Sequence, residues 1–141
     1  MDKRVILIVE DNPDDQLLLR NALEKAEVQN PLKFVANSEA AKEYLQQCEH
    51  SIRGMPSLIF LDLWLPNETG LAFLEELRNN KATHRIPVIV LTQSHQSEDL
   101  QESYQLGANS FIYKDGSLSE FNSKIRCICD YWLRVCQLPV A

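Results

Sequence analysis

Asp62 stands inside the stretch SLIFLDLWLP, residues 57–66, with apolar residues on both sides. A lone carboxylate in such surroundings costs roughly several kcal/mol unless it is paired or protonated. Four other residues have types that could explain it: Glu10 and Asp11 after RVILIV, Thr92 after IPVIVL, and Lys114 after NSFIY. Each follows an apolar run. Taken singly, a strand-end Asp is a turn former or helix cap, Thr92 is a cap, and Lys114 is a solvated chain. Together they make a different set: three carboxylates, a hydroxyl and an ammonium. Three nearby carboxylates repel one another, and a divalent cation resolves that conflict. Oxygen ligands without Cys or His suggest Mg²⁺. A carboxylate fixed by a metal can attack an electrophilic phosphorus. The metal would neutralise one phosphoryl oxygen, and Lys114 and Thr92 would bind the others.

This chemistry requires the five residues to meet, and the intervening sequence supplies a means. RVILIVE (4–10) is continuously apolar, as expected of a strand buried on both faces. Helical spacing follows in NPDDQLLLRNALEKAE, with Asn12 as N-cap and Pro13 at the first helical position. LKFVA (32–36) reads as a strand and SEAAKEYLQQCE (38–49) as a helix capped by Ser38. SLIFLD (57–62) is a strand and ETGLAFLEELRNN (68–80) a helix. IPVIVLT (86–92) is a strand, and SEDLQESYQLG (97–107) a helix stopped by Gly107. NSFIYK (109–114) is the last strand and LSEFNSKIRCICDYWLRV (118–135) the last helix. Alternating strands and helices predict an α/β fold: a five-stranded parallel sheet covered by five helices, strand order 2-1-3-4-5. In such a sheet the carboxyl ends of the strands share one edge, where open α/β folds bind ligands.

The 141 residues suit one domain, with no linker or repeat. A net charge of -6 and the absence of a basic run argue against a nucleic-acid partner. No span approaches the ~20 apolar residues of a membrane helix. The opening MDKRVILIVED is not expected to act as a signal peptide, because two acids follow only five apolar residues. Cys48, Cys127, Cys129 and Cys136 lack zinc spacing, so free thiols in a reducing, cytoplasmic compartment are expected. His50, His84 and His95 are isolated in polar stretches.

In combination, VEDNPDD, LDLWLPNETG, VIVLTQS and FIYKDGS resemble the response-regulator receiver domains of two-component signalling, over essentially the whole chain. The resemblance implies a flavodoxin-like three-layer sandwich over residues 1–141, with a slightly extended C-terminal helix and tail and no output domain. It implies phosphoryl transfer from a histidine kinase to Asp62, self-catalysed and followed by slow dephosphorylation, not turnover of an external substrate. By the same resemblance Asp11 and Asp62 bind Mg²⁺, with the backbone carbonyl of Trp64, and Glu10 supports the ion through water. Thr92 and Phe111 form the switch pair, and Lys114 contacts the phosphate. Phosphorylation then changes the surface of the fourth helix, fifth strand and fifth helix. The sequence departs from the common pattern at Asp115, where a Pro usually follows the Lys, at Gln93, where a small residue usually follows the Thr, and at the bulky Trp64. A Lys without that Pro, together with the ending DYWLRVCQLP, resembles stand-alone regulators paired with bacterial phytochrome kinases.

Two other classes compete. A Mg²⁺-dependent phosphatase with an aspartyl nucleophile, resembling the haloacid dehalogenase group, needs an acid two residues after the nucleophile, where Trp64 stands. A receiver-shaped adaptor that is never phosphorylated has no need of the intact acids and Lys114. A nucleotide-binding enzyme would need a glycine-rich loop, which four scattered glycines cannot form. A homodimer through the C-terminal part is also expected. Leu118, Phe121, Ile125, Ile128 and Trp132 form the core stripe of the last helix, while Cys127, Tyr131, Leu133, Val135, Cys136 and Leu138 lie off it. The alternative is that the tail CQLPVA folds back over them.

Overall fold

Strands β1 (Ile6–Val9), β3 (Leu58–Leu61) and β4 (Val88–Thr92) consist almost wholly of Ile, Leu, Val and Phe, and every residue in them is buried. The computed structural model describes residues 4–139. The edge strands β2 (Leu32–Val35) and β5 (Ser110–Tyr113) are only partly buried. All four pairings are parallel and the order is β2-β1-β3-β4-β5, as the sequence predicts. Alternate side chains face opposite ways, so the sheet has two cores. One holds Val9, Leu61 and Val90 with Phe73 and Leu77 of α3 (Gly70–Asn79) and Leu45 of α2 (Ser38–Glu49). The other holds Ile8, Phe60 and Leu91 with Leu19 and Leu23 of α1 (Pro13–Lys25) and Phe121 and Ile125 of α5 (Leu118–Cys129). The remaining helix, α4 (Ser97–Gln105), buries only Ser103 fully. Among the described residues, no helix is long and apolar enough to cross a membrane.

The caps follow the sequence with one exception. Asn12 accepts hydrogen bonds from the Asp14 and Asp15 amides, satisfying two of the unpaired donors at the start of α1. Ser38, however, is not the cap of α2. Asn37 is, through its bond from the Ala40 amide, and Ser38 is buried at the first helical position. Both types cap well, and only the extended backbone of Asn37 decides between them. Gly107 has φ +100, consistent with its predicted role as a helix stop.

The C-terminal end differs most from expectation. After Cys129 the helix widens into a π-helical turn, Asp130–Val135, closed by a 2.7 Å bond from the Cys136 amide to the Tyr131 carbonyl. The wider winding shifts the 3.6-residue register. Cys129 and Leu133 join the core with Ile128 and Trp132, while Leu118, predicted inside, is 55% exposed. Arg134 explains why the turn sits where it does. Its guanidinium donates to the carbonyls of Ala26 and Glu27 at 2.7 and 2.9 Å, and Arg126 reaches that of Lys25. Two arginines thus cap the negative end of α1. The tail does return toward the sheet: Arg4 donates to the Pro139 carbonyl at 3.0 Å. Of the six residues expected outside the core stripe, Cys127, Tyr131 and Val135 remain exposed.

All four cysteines are free. Burial pushes the Cys129 thiol up to about 12 and also raises that of Cys48. In the native protein a disulfide-exchange dye should therefore react quickly with two thiols, those of the exposed Cys127 and half-buried Cys136. Cys48 and Cys129 should react only after denaturation. Four equally fast thiols would contradict this packing.

Candidate functional site

The parallel register brings the predicted residues together. Val9 pairs with Leu61 and Leu61 with Val90, so Glu10 and Asp62 emerge side by side from β1 and β3. The Asp62 amide donates to the Val9 carbonyl at 3.0 Å, and the Lys114 amide to that of Thr92 at 2.8 Å. Glu10, Asp62 and Thr92 are buried, whereas Asp11 is exposed.

Lys114 ties the edge together. Its ammonium bonds the Glu10 carboxylate and lies 3.1 Å from Asp15 and 3.4 Å from Asp62. Burial disfavours its charge, but the Asp62, Glu10 and Asp15 carboxylates outweigh that and hold its pKa above the ordinary lysine value. Glu10 behaves differently. Burial pushes its carboxyl up to about 7, against the opposing pull of Lys114 and with a smaller push from Asp62. Its other oxygen accepts from the Asn12 amide at 3.1 Å, and Gln16 donates to its backbone carbonyl at 2.6 Å.

Glu10, Asp11 and Asp62 each offer an oxygen, and these oxygens lie within 4.8 Å of one another. The donors are all hard oxygens, so the set fits Mg²⁺ or Mn²⁺ better than a softer metal. On the other side of the edge, Thr92 Oγ accepts from the Ser94 amide at 3.2 Å, which leaves its own O–H as a donor. Trp64 donates its amide to Asp62 Oδ1 at 3.2 Å while its side chain is 57% exposed beside the site. Phe111 is buried and meets Tyr113 edge-on, ring centroids 5.4 Å apart; Tyr113 in turn stacks on His95 at 4.4 Å.

A buried carboxylate, an ammonium and an oxygen-only cation set on one parallel edge are what phosphoryl transfer to Asp requires, and residues 6–126 match the family model of the response regulator receiver domain. The chain belongs to that family. Receiver domains accept a phosphoryl group in two-component signalling, work with histidine kinases, and bind Mg²⁺ or Mn²⁺ in an acidic pocket. The chain is 36% identical over 139 residues to the response regulator Rcp1 of Synechocystis sp., covering 98% of this chain and 95% of Rcp1. Its structure is similar to that of the phosphorylated cyanobacterial phytochrome response regulator RcpA, with TM-score 0.87, 35% identity, and 97% and 99% of the two chains covered. The Mn²⁺-bound form of Rcp1 gives TM-score 0.86 at 35% identity, with the same coverage.

Two features of this receiver site have little signature in the sequence. Asp15, in the first turn of α1, reads as a dipole-favoured acid, yet it reaches Lys114. Its place one turn beyond Asn12 was the available hint. Gly70 reads as an ordinary residue in the first turn of a helix that begins at Glu68, whereas it is the first residue of α3. A Cβ there would lie 2.5 Å from the Asp62 carbonyl oxygen and 2.7 Å from the Leu63 Cα. The start of α3 therefore rests directly on the backbone that carries Asp62, and the Gly70 amide bonds the Leu63 carbonyl at 2.9 Å. Both clashing atoms are backbone, so neither can turn aside. Gly70→Ala should cost about 1–3 kcal/mol, as overpacking does, and lower the melting temperature by roughly 3–10 °C. Because the displaced backbone belongs to Asp62, phosphorylation should slow in the folded variant as well. Wild-type stability and rate would show that α3 and the acid are not coupled.

Proposed function

We propose that Asp62 is the phosphoacceptor of a response regulator served by a phytochrome-type histidine kinase. The observation that carries this reading is the shared grip of Lys114 on Glu10, Asp15 and Asp62 at one sheet edge. An Asp62 oxygen attacks the phosphorus of a phosphohistidine. The P–N bond breaks, its electron pair goes to the imidazole nitrogen, and that nitrogen takes up a proton. Lys114 and the Thr92 hydroxyl bind phosphoryl oxygens as charge builds on them. Asp11, Asp62 and the Trp64 carbonyl would hold Mg²⁺, with Glu10 supporting it through water. When bound, the ion neutralises charge on the transferred group. The phosphatase alternative lacks its second acid at Trp64, and the adaptor alternative leaves the buried acids and Lys114 without a purpose.

Switching follows from the contacts of Thr92. As Thr92 moves toward a phosphorylated Asp62, it draws on the Ser94 amide. Ser94 Oγ also hydrogen-bonds the Asp99 carboxylate, so the first turn of α4 follows. Phe111 turns into the vacated space and changes the surface of α4, β5 and α5. The phytochrome link is supported by the likeness to the cyanobacterial phytochrome response regulator RcpA and by the ending DYWLRVCQLP. A cytoplasmic location fits exposed free thiols.

Acetyl phosphate with Mg²⁺ should add one phosphoryl group, read by intact mass, and Asp62→Asn should abolish it. Asp11→Ala should need more Mg²⁺ for the same yield. Modification of Asp62→Asn to the wild-type extent would overturn the assignment in favour of another acceptor, and a wild-type chain that takes up no phosphoryl group would favour the adaptor reading.

The protein also pairs with itself through its C-terminal part. Tyr131 and Val135 are 53% and 70% exposed on the π-helical turn, next to core residues Trp132 and Leu133. Exposed aromatic and aliphatic side chains grouped on one turn favour a second buried surface. Light scattering at micromolar concentration should show a dimer, and Tyr131→Asp with Val135→Asp should yield a folded monomer. A wild-type monomer both before and after phosphorylation would refute the dimer.

A further inference from the structure

A cavity lies at the other end of the sheet from Asp62. It opens beneath the amino ends of β1, β3 and β4 and has a volume of about 880 Å³. That volume is typical of small-molecule sites, roughly 300–1,000 Å³. Its apolar wall includes Met55, Ile86, Pro87 and Leu138. Met55 and Ile86 are themselves core residues, so the floor of this open cavity reaches the packed interior. Leu138 and Pro139 close one side, where Arg4 holds the returning tail.

Two observations identify the chemistry. The first is charge. Arg4, Arg53, Lys81 and Arg85 line the cavity, and Glu49 is the single acid among its lining residues. In a chain of net charge -6, that is a local reversal of sign. The second is Ser57, the residue before β3. It lines the cavity, is 1% exposed, and its hydroxyl oxygen has no hydrogen-bond partner. A buried hydroxyl without a partner costs free energy that an entering polar group recovers.

We propose that this cavity is a binding site for a small amphipathic anion: a phosphate or carboxylate carried on an apolar body. The apolar part lies against Met55, Ile86, Pro87 and Leu138. The anionic head meets Arg53, Lys81 and Arg85 at the rim, and a polar atom of the ligand pairs with Ser57 Oγ. The site is remote from Thr92 and Lys114 along the strands, so it is independent of phosphoryl transfer to Asp62.

The test uses the full chain, unphosphorylated, so its outcome does not depend on the role of Asp62. Decyl phosphate, held below its aggregation concentration, is titrated by calorimetry and compared with decanol and with inorganic phosphate. Decyl phosphate should bind with one-site saturation, at least tenfold more tightly than either single-feature probe. Arg53→Glu with Arg85→Glu, at exposed positions, should weaken it tenfold or more while circular dichroism stays unchanged. Ser57→Ala should weaken it severalfold. Equal binding of decanol, or an unchanged affinity in the double Arg variant, would overturn the site. Sedimentation with phosphatidylglycerol vesicles without saturable binding of decyl phosphate would overturn it in favour of a lipid surface.

Discussion

One buried ammonium among four carboxylates is the constraint on which the structure turns. Glu10, Asp11, Asp15 and Asp62 share the carboxyl edge of the sheet, and among the described residues Lys114 is the one cation bonded within the group. With all acids ionised, three negative charges remain unbalanced. Unit charges within 4.8 Å repel by about 3–4 kcal/mol at an effective dielectric of about 20. The raised pKa of Glu10 is one release, since a proton removes a charge. A divalent cation is the other, and it leaves the acids ionised. The edge is therefore built to be incomplete on its own. Its repulsion is relieved by binding, and that makes it responsive to what binds there.

An edge under such strain must be held by something stiffer than itself. The three central strands supply this, because every residue in them is buried and each strand has a neighbour on both sides. Their register sets the spacing between Glu10, Asp62 and Thr92. Gly70 extends the same support to α3, whose first residue touches the Asp62 backbone. Thr92 is tied less rigidly. Its hydroxyl reaches the Ser94 amide, and Ser94 reaches α4, which has the thinnest contact with the core. Rigid acids and a loosely docked helix divide the work between catalysis and response.

The fold was legible because hydrophobic periodicity and strand spacing depend on local sequence, and a parallel sheet turns strand ends into spatial neighbours. Glu10, Asp62, Thr92 and Lys114 could be placed together on that ground alone. What could not be read depends on three-dimensional approach. Nothing in the local sequence tells that Asp15 reaches Lys114, that Asn37 and not Ser38 caps α2, or that a Cβ at Gly70 would strike Asp62. The C-terminal end failed for a specific reason. Helical periodicity was projected past Cys129, but Arg134 holds that segment to the end of α1 as a π-helical turn. The register slips and Leu133 turns inward, whereas the exposure of Leu118, at the far end of α5, is separate from that turn.

The two ends of the sheet carry opposite sign, and this follows partly from what parallel strands do. All carboxyl ends gather at one edge and all amino ends at the other, so any bias in the flanking loops accumulates across the sheet instead of cancelling. Here the carboxyl edge collects Glu10, Asp11, Asp15 and Asp62, while Arg4, Arg53, Lys81 and Arg85 line the cavity at the amino edge. The core between them is apolar and closely packed, so the two poles are separated by the full depth of a dry interior. An antiparallel sheet with the same residues would mix the charges at both edges. The parallel topology thus does more than assemble the acids: among the described residues the cation bonded to them is Lys114, and a divalent cation would supply the rest of the neutralisation.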